Sequence, residues 1–156
     1  MLTVRIIAVG KAKGAWMTDA QAHFGKLLNK YCKLEVVEIP ETSVSPDGSI
    51  ESRKSEEAQK IRKRLSDSYH ICLDQLGKRF SSEAFAEKLS HLMRDGQSVI
   101  EFVIGGAYGL DAALLEECDL CVSLSSFTLS HQIARVALLE QLFRCFSLNA
   151  NTQYHK

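Results

Sequence analysis

Nowhere does this chain of 156 residues carry an apolar run long enough to cross a bilayer. It has no net charge either, since 19 lysines and arginines balance 19 aspartates and glutamates. A protein that grips naked nucleic acid mainly through phosphates is usually basic, so tight, indiscriminate RNA binding is disfavoured. A local basic patch, or a partner recognised by shape, stays compatible with zero charge. Two nucleotide signatures are missing. Gly10 is followed by Lys11-Ala12-Lys13-Gly14 instead of GxGxxG, and GxxxxGK followed by Ser or Thr occurs nowhere. A standard dinucleotide fold and a P-loop are both disfavoured. A zinc signature is incomplete: Cys118-Asp119-Leu120-Cys121 has CxxC spacing, but no second CxxC or HxxxH supplies two more ligands. No metal is expected. The five cysteines (Cys32, Cys72, Cys118, Cys121, Cys145) are odd in number and spread over predicted helices and strands. They read as reduced thiols, and the CxxC as an ordinary thiol pair. The N-terminus lacks a basic leading region and alternates like a strand, unlike a signal peptide. The expectation is a cytoplasmic protein with no membrane partner.

What is present is a 46% apolar chain, enough for one domain over residues 1–156 with a real core. Thr3–Val9 alternates and is rich in branched residues, which predicts a strand ended by Gly10. Lys11, Lys13 and Gly14 form a basic loop. Trp16, Ala20, Phe24, Leu27 and Leu28 fall three or four apart and predict a helix from Trp16 to Tyr31. Leu34–Ile39 is a second strand stopped by Pro40. Glu41 to Ile50, with Pro46 and Asp47-Gly48, reads as a long exposed loop. Glu51 to Leu65 is dominated by charge. It reads as a solvated helix whose opposite charges support each other. A sharper reading takes Arg53, Lys54, Lys60, Arg62, Lys63 and Arg64 as a phosphate-facing patch.

Tyr69–Asp74 is a third strand, with Leu76-Gly77-Lys78 as the turn after it. Ser81 or Ser82 then caps a helix whose buried face is Phe85, Leu89, Leu92 and Met93, ended by Gly96. A fourth strand spans Ser98–Ile104 and a fifth runs from about Leu120 to Leu124. Alternation of strands and helices predicts an α/β fold, mostly a parallel sheet with helices on both faces.

The organising stretch lies late in the chain. Val99–Ile104 breaks on Gly105-Gly106, with Gly109 close behind. Leu124-Ser125-Ser126-Phe127-Thr128-Leu129 then leads into an apolar helix from Ile133 to Phe146. Two loops thus leave the ends of two strands expected to be neighbours, the edge where open α/β sheets bind ligands. Glycine lets a ligand approach the main chain closely. The second loop offers main-chain groups beside apolar side chains, suited to an adenine. A phosphate binder should have a lysine or a serine-rich helix start after Gly106, and Ala107-Tyr108 offers neither. The last helix is apolar on more than one face, which suits burial by a partner subunit. Arg135 and Arg144 interrupt it, each readable as a surface ion pair or as functional.

These residues carry a family resemblance. The chain resembles the small bacterial ribosomal methyltransferases of the SPOUT superfamily, and most nearly the large-subunit methyltransferase H family, which methylates N3 of a pseudouridine in 23S ribosomal RNA. The likeness runs nearly end to end. It includes Ile7-Ala8-Val9-Gly10-Lys11, Leu73-Asp74 with Gly77-Lys78, and Phe102 to Gly106 with Gly109-Leu110. It continues through Leu124-Ser125, Thr128-Leu129, His131, Ala134-Arg135, Leu139-Glu140-Gln141 and Arg144, to Tyr154-His155-Lys156. Ser130 and Gln153 stand where the family commonly has proline.

The resemblance implies a SPOUT-type fold with a C-terminal trefoil knot and a homodimer whose site both subunits complete. It implies S-adenosylmethionine as cofactor and 23S ribosomal RNA within assembled ribosomes as partner. The positions matching the family's cofactor contacts are Leu73, Gly105 and Leu124 to Leu129 (Leu124, Ser125, Ser126, Phe127, Thr128, Leu129), and Gly106 joins them as part of the glycine turn. N3 of pseudouridine is an imide nitrogen that must lose its proton, so a base or a stabilising cation is needed. His131 and His155 are the candidates for base or orienter. Arg135 and Tyr154 are the candidates for placing the nucleotide. Two rivals are a non-catalytic ribosome-binding α/β module and a nucleotide binder that uses the late glycines.

Overall fold

A computed structural model describes residues 1–43 and 48–154. Ten elements follow in the order β1 (Leu2–Val9), α1 (Ala15–Leu28), β2 (Cys32–Ile39), α2 (Ile50–Arg62), β3 (Tyr69–Arg79), α3 (Ser82–Arg94), β4 (Val99–Ile104), α4 (Ala112–Glu117), β5 (Leu120–Ser123) and α5 (His131–Asn149). The five strands form one sheet in the order β2-β1-β4-β3-β5, and every pairing is parallel. The alternation read from the sequence explains the two faces. Val4, Ile6, Ala8, Ile100, Phe102 and Ile104 point to one side, where α3 and α5 bury Phe85, Leu89, Leu138 and Leu142. Ile7, Val9 and Val103 point to the other, under Ala58 and Ile61 of α2 and Leu114 of α4.

Several boundaries differ from the reading. β4 and β5 are not neighbours, because β3 lies between them. Periodicity marks strands but carries no strand order, and the chain skips over β3 to add β5 at the edge. Leu76-Gly77-Lys78 is not a turn. It belongs to β3, which bulges between Leu73 and Lys78 and then pairs with β5 again at Lys78 and Arg79. A Cβ at Gly77 would sit 2.8 Å from backbone atoms of Cys121 and Val122, so only glycine lets β5 lie this close. α1 stops at Leu28, before Tyr31. Met17 is its buried N-terminal residue, while Trp16 is half exposed. Met93 of α3 is likewise exposed. α5 begins two residues early, at His131, since Ser130 caps it by accepting from Ile133 N at 3.3 Å. Pro46 and Asp47 of the predicted loop lie outside the described residues.

Two features were not legible. Cys72 of β3 and Cys118 before β5 are joined as a disulfide, Cα–Cα 6.2 Å, which corrects the expectation of five free thiols and of a Cys118/Cys121 pair. Parallel register sets Cys72 beside Cys121, and the short turn after α4 then brings Cys118 across. Glu101 is fully buried on β4, yet Arg5 pairs with it, Ser66 donates through N and Oγ, and His70 Nε2 lies 3.1 Å away. A buried carboxylate survives only with partners of this kind.

Candidate functional site

The C-terminal ends of β4, β3 and β5 lie side by side, and the chain leaving each contributes one wall of a cavity of about 720 Å³. That size is ordinary for a small-molecule site. The first wall is the glycine turn. A Cβ at Gly105 would lie 2.7 Å from the Gly109 carbonyl carbon, and Gly106 and Gly109 pair as a β-bridge, so the loop closes on itself. Asp111 then caps the short helix α4. The second wall is the bulged end of β3, where Asp74 Oδ2 accepts from Leu76 N at 3.1 Å.

The third wall is the loop after β5. Its hydroxyls are engaged locally: Ser123 Oγ donates to Ser125 O at 3.0 Å, and Ser125 Oγ accepts from Phe127 N at 2.9 Å. Gln75 latches the second wall to the third. Its Nε2 donates to Ser126 O at 2.9 Å, and its Oε1 accepts from Thr128 Oγ1 at 3.2 Å.

Of the predicted cofactor positions, Leu73, Gly105, Gly106, Leu124, Ser125, Phe127, Thr128 and Leu129 line the cavity, while Ser126 stands behind it on Gln75. Asp74, Gln75, Leu76 and Tyr108 also line it and were missed. Asp74 and Gln75 directly follow Leu73, and Tyr108 lies inside the glycine run; adjacency was the available signal.

Of the four predicted catalytic residues, the three that are described are not gathered together. His131 lines the cavity at the start of α5, its Nε2 3.8 Å from Glu41 Oε1. Arg135 does not line it. It is fully buried, donating to Glu38 Oε2 at 2.8 Å, to Gly10 O at 2.9 Å and to Gln21 Oε1 at 3.4 Å. It is not a surface ion pair, because α5 lays that face directly on the end of β1. Tyr154 folds back onto its own α5, its ring 4.5 Å from that of Phe143 and its hydroxyl 3.3 Å from Glu140 Oε1. His155 lies outside the described residues. Of the suggested phosphate patch, three cations are engaged within the chain: Arg53 with Glu57, Lys60 with Thr42 and, at the surface, Arg62 with Glu117.

Charge defines what the cavity can hold. Among the described residues no lysine or arginine lines it, and Asp74 is a lining carboxylate. Such a site tolerates a cation and offers no lysine or arginine to a phosphate. Its apolar lining of Leu73, Leu124 and Leu129 beside main-chain donors and acceptors suits a compact ligand with an aromatic ring and a charged tail. Behind it, burial pushes Glu38 up, but hydrogen bonds from Arg135 and from Ala12 N hold its carboxyl below the ordinary value.

Residues 2–155 match the family described as "Predicted SPOUT methyltransferase". The chain belongs to the SPOUT methyltransferase family, whose members use S-adenosylmethionine as methyl donor. Within it, the chain is 38% identical over 159 residues to a protein of Bifidobacterium adolescentis named Ribosomal RNA large subunit methyltransferase H, covering 99% of this chain and all of that one. A protein of the same name from Acetivibrio thermocellus is 39% identical over 160 residues, with the same coverage. Among solved structures, the tRNA (m1G37) methyltransferase of Aquifex aeolicus superposes with a TM-score of 0.57 at 16% identity, over 91% of this chain and 69% of that one. A probable methyltransferase from Bordetella pertussis Tohama I gives 0.56 at 19% identity, over 92% and 95%. These two likenesses concern the fold.

Proposed function

We propose that this protein is an S-adenosylmethionine-dependent methyltransferase acting at N3 of a pseudouridine in 23S ribosomal RNA. The observation that carries the reading is the cavity: three walls around apolar residues, with no lysine or arginine lining it among the described residues. A cationic donor suits such a site better than a nucleoside phosphate, which would find no lysine or arginine there. Full-length relatives at 38–39% identity named Ribosomal RNA large subunit methyltransferase H support the RNA substrate.

Leu73, Gly105, Gly106 and residues 124–129 would hold the donor, which supplies a methyl group already activated by a positive sulfur. The residues around it have to position and to exclude water, effects that dominate when two reactants must meet in line. His131 at the cavity or His155 of the tail takes the N3 proton of the imide. Arg135 acts from beneath by fixing Gly10, and with it the loop that carries Lys11 and Lys13, toward the nucleotide. Tyr154, which does not line this chain's own cavity, belongs in this reading, together with His155, to a site completed across a homodimer. Leu76 and Phe127, 93% and 82% exposed at the cavity mouth, are apolar surface that a second copy would cover. The reading includes one domain over residues 1–156, the family's C-terminal trefoil knot and action on assembled ribosomes in the cytoplasm.

The test is methyl transfer from labelled S-adenosylmethionine to ribosomes lacking the mark, read at the pseudouridine. Transfer to N3 is expected. Donor binding without transfer makes the chain a binding module; absence of donor binding overturns the reading. Replacing His131 or His155 by alanine, with donor binding intact, identifies the base by loss of turnover.

A further inference from the structure

Helix α2 is charge-rich and plays no part in the chemistry above, yet one of its carboxylates is buried. Glu57 is 4% exposed and packs behind the glycine turn. A Cβ at Gly106 would lie 3.1 Å from Glu57 Oε2 and 3.2 Å from Val9 Cγ1. One helical turn earlier, Arg53 donates from Nε to Glu57 Oε1 at 3.1 Å and sets its guanidinium 5.2 Å from the centre of the Tyr108 ring. That separation is a cation–π contact. Tyr108 and Gly106 both line the cavity. At the far end of the same segment, Arg62 of α2 holds Glu117 through two hydrogen bonds of 2.9 and 3.0 Å. One helix thus grips residues 106–117 at both ends.

A helix whose charges only faced water would leave all of them screened and weak. Here the carboxylate has been taken out of water, and its arginine bridges it to an aromatic ring at the cavity. We propose that Arg53 and Glu57 are positioning residues for the methyl donor. They fix Tyr108 and Gly106 as one wall, so donor affinity depends on a pair that does not line the cavity. The proposal rests on the S-adenosylmethionine reading and adds to it a determinant on the opposite side of the glycine turn.

The test compares the wild type with Glu57→Gln, Arg53→Ala, Arg53→Lys, Tyr108→Ala and the double variant of Arg53→Ala with Tyr108→Ala. Glu56→Gln, on the exposed side of α2, is the control. Calorimetry with S-adenosylmethionine gives Kd, and ribosome methylation gives donor KM and kcat separately. Losing a charged hydrogen bond of this kind predicts a donor Kd about tenfold weaker in Glu57→Gln and Arg53→Ala, with kcat at saturating donor within about twofold. Arg53→Lys keeps the cation and restores part of the loss. In the Tyr108→Ala background, Arg53→Ala costs less than it does alone, because part of its effect runs through that ring and only the Glu57–Gly106 contact remains.

A donor-free readout accompanies these: amide exchange at residues 105–110 speeds up in Arg53→Ala and not in Glu56→Gln. Should Glu57→Gln fail to fold, the Arg53 variants decide. Unchanged Kd with a lowered melting temperature, or additive losses in the double variant, overturns the proposal. A wild type that does not bind S-adenosylmethionine sinks the functional reading and this proposal together. A wild type that binds beside unaffected variants sinks this proposal alone.

Discussion

Arg135 lies between α5 and the end of β1 without access to solvent, its guanidinium divided among Glu38, Gln21 and the Gly10 carbonyl. An arginine within an apolar helix could not be placed from sequence, since nothing local shows that a carboxylate and a carbonyl wait beneath it. Replacing it by Met should lower unfolding free energy by about 2 kcal/mol, below the roughly 3–5 kcal/mol of a fully buried pair because Glu38 keeps some solvent. Denaturant unfolding measures this. The partner gives a pH signature. Glu38 has its carboxyl held below the ordinary 4.5. Its contribution is fully present above the unfolded value and disappears as pH falls through the lower folded one. Stability titrated downward from pH 5 should therefore fall less steeply in Arg135→Met than in the wild type. Burial also pushes the Cys145 thiol up to about 12 and Cys32 to about 11, so neither should react with alkylating reagents at neutral pH before unfolding.

Among the elements, β1 and α3 were legible almost to the residue, because an unbroken branched run closed by glycine marks the strand and one apolar face marks the helix. The extension of β3 was not. Leu76-Gly77-Lys78 has turn composition, and only contact with the β5 backbone turns it into paired strand. Gly77→Ala should accordingly cost at least about 2 kcal/mol, the scale of overpacking a site that cannot relax. It should also weaken the donor, since the bulge carries Asp74 and Gln75. Ser130 is a different case: the sequence reading begins the last helix at Ile133, and the structure shows Ser130 capping it two residues earlier. Ser130→Ala should lower stability by about 1 kcal/mol, read from thermal unfolding. The glycine turn and the loop after β5 stood out in the sequence, and both line the cavity. Their shared neighbour β3, which supplies the second wall, did not, because strand order is a tertiary property.

For the whole molecule, a donor that binds only the folded state must raise its melting temperature. At a hundredfold excess over Kd the linkage amounts to about 2.7 kcal/mol, or a rise of about 5–10 °C for a chain of this size. A flat response would contradict the site. Fold class followed from alternation and the family from order and spacing of short motifs. The brace from α2 and the Cys72–Cys118 link did not, because both join residues more than 40 positions apart.

The strand order has a further consequence for synthesis. The three walls come from residues near 74, near 106 and near 127, and His131 and Ala134 at the start of α5 line the same cavity. On the proposed reading, a nascent product that lacks them has no complete donor site, and translation that stalls before the final helix leaves an inert polypeptide instead of a partly competent enzyme.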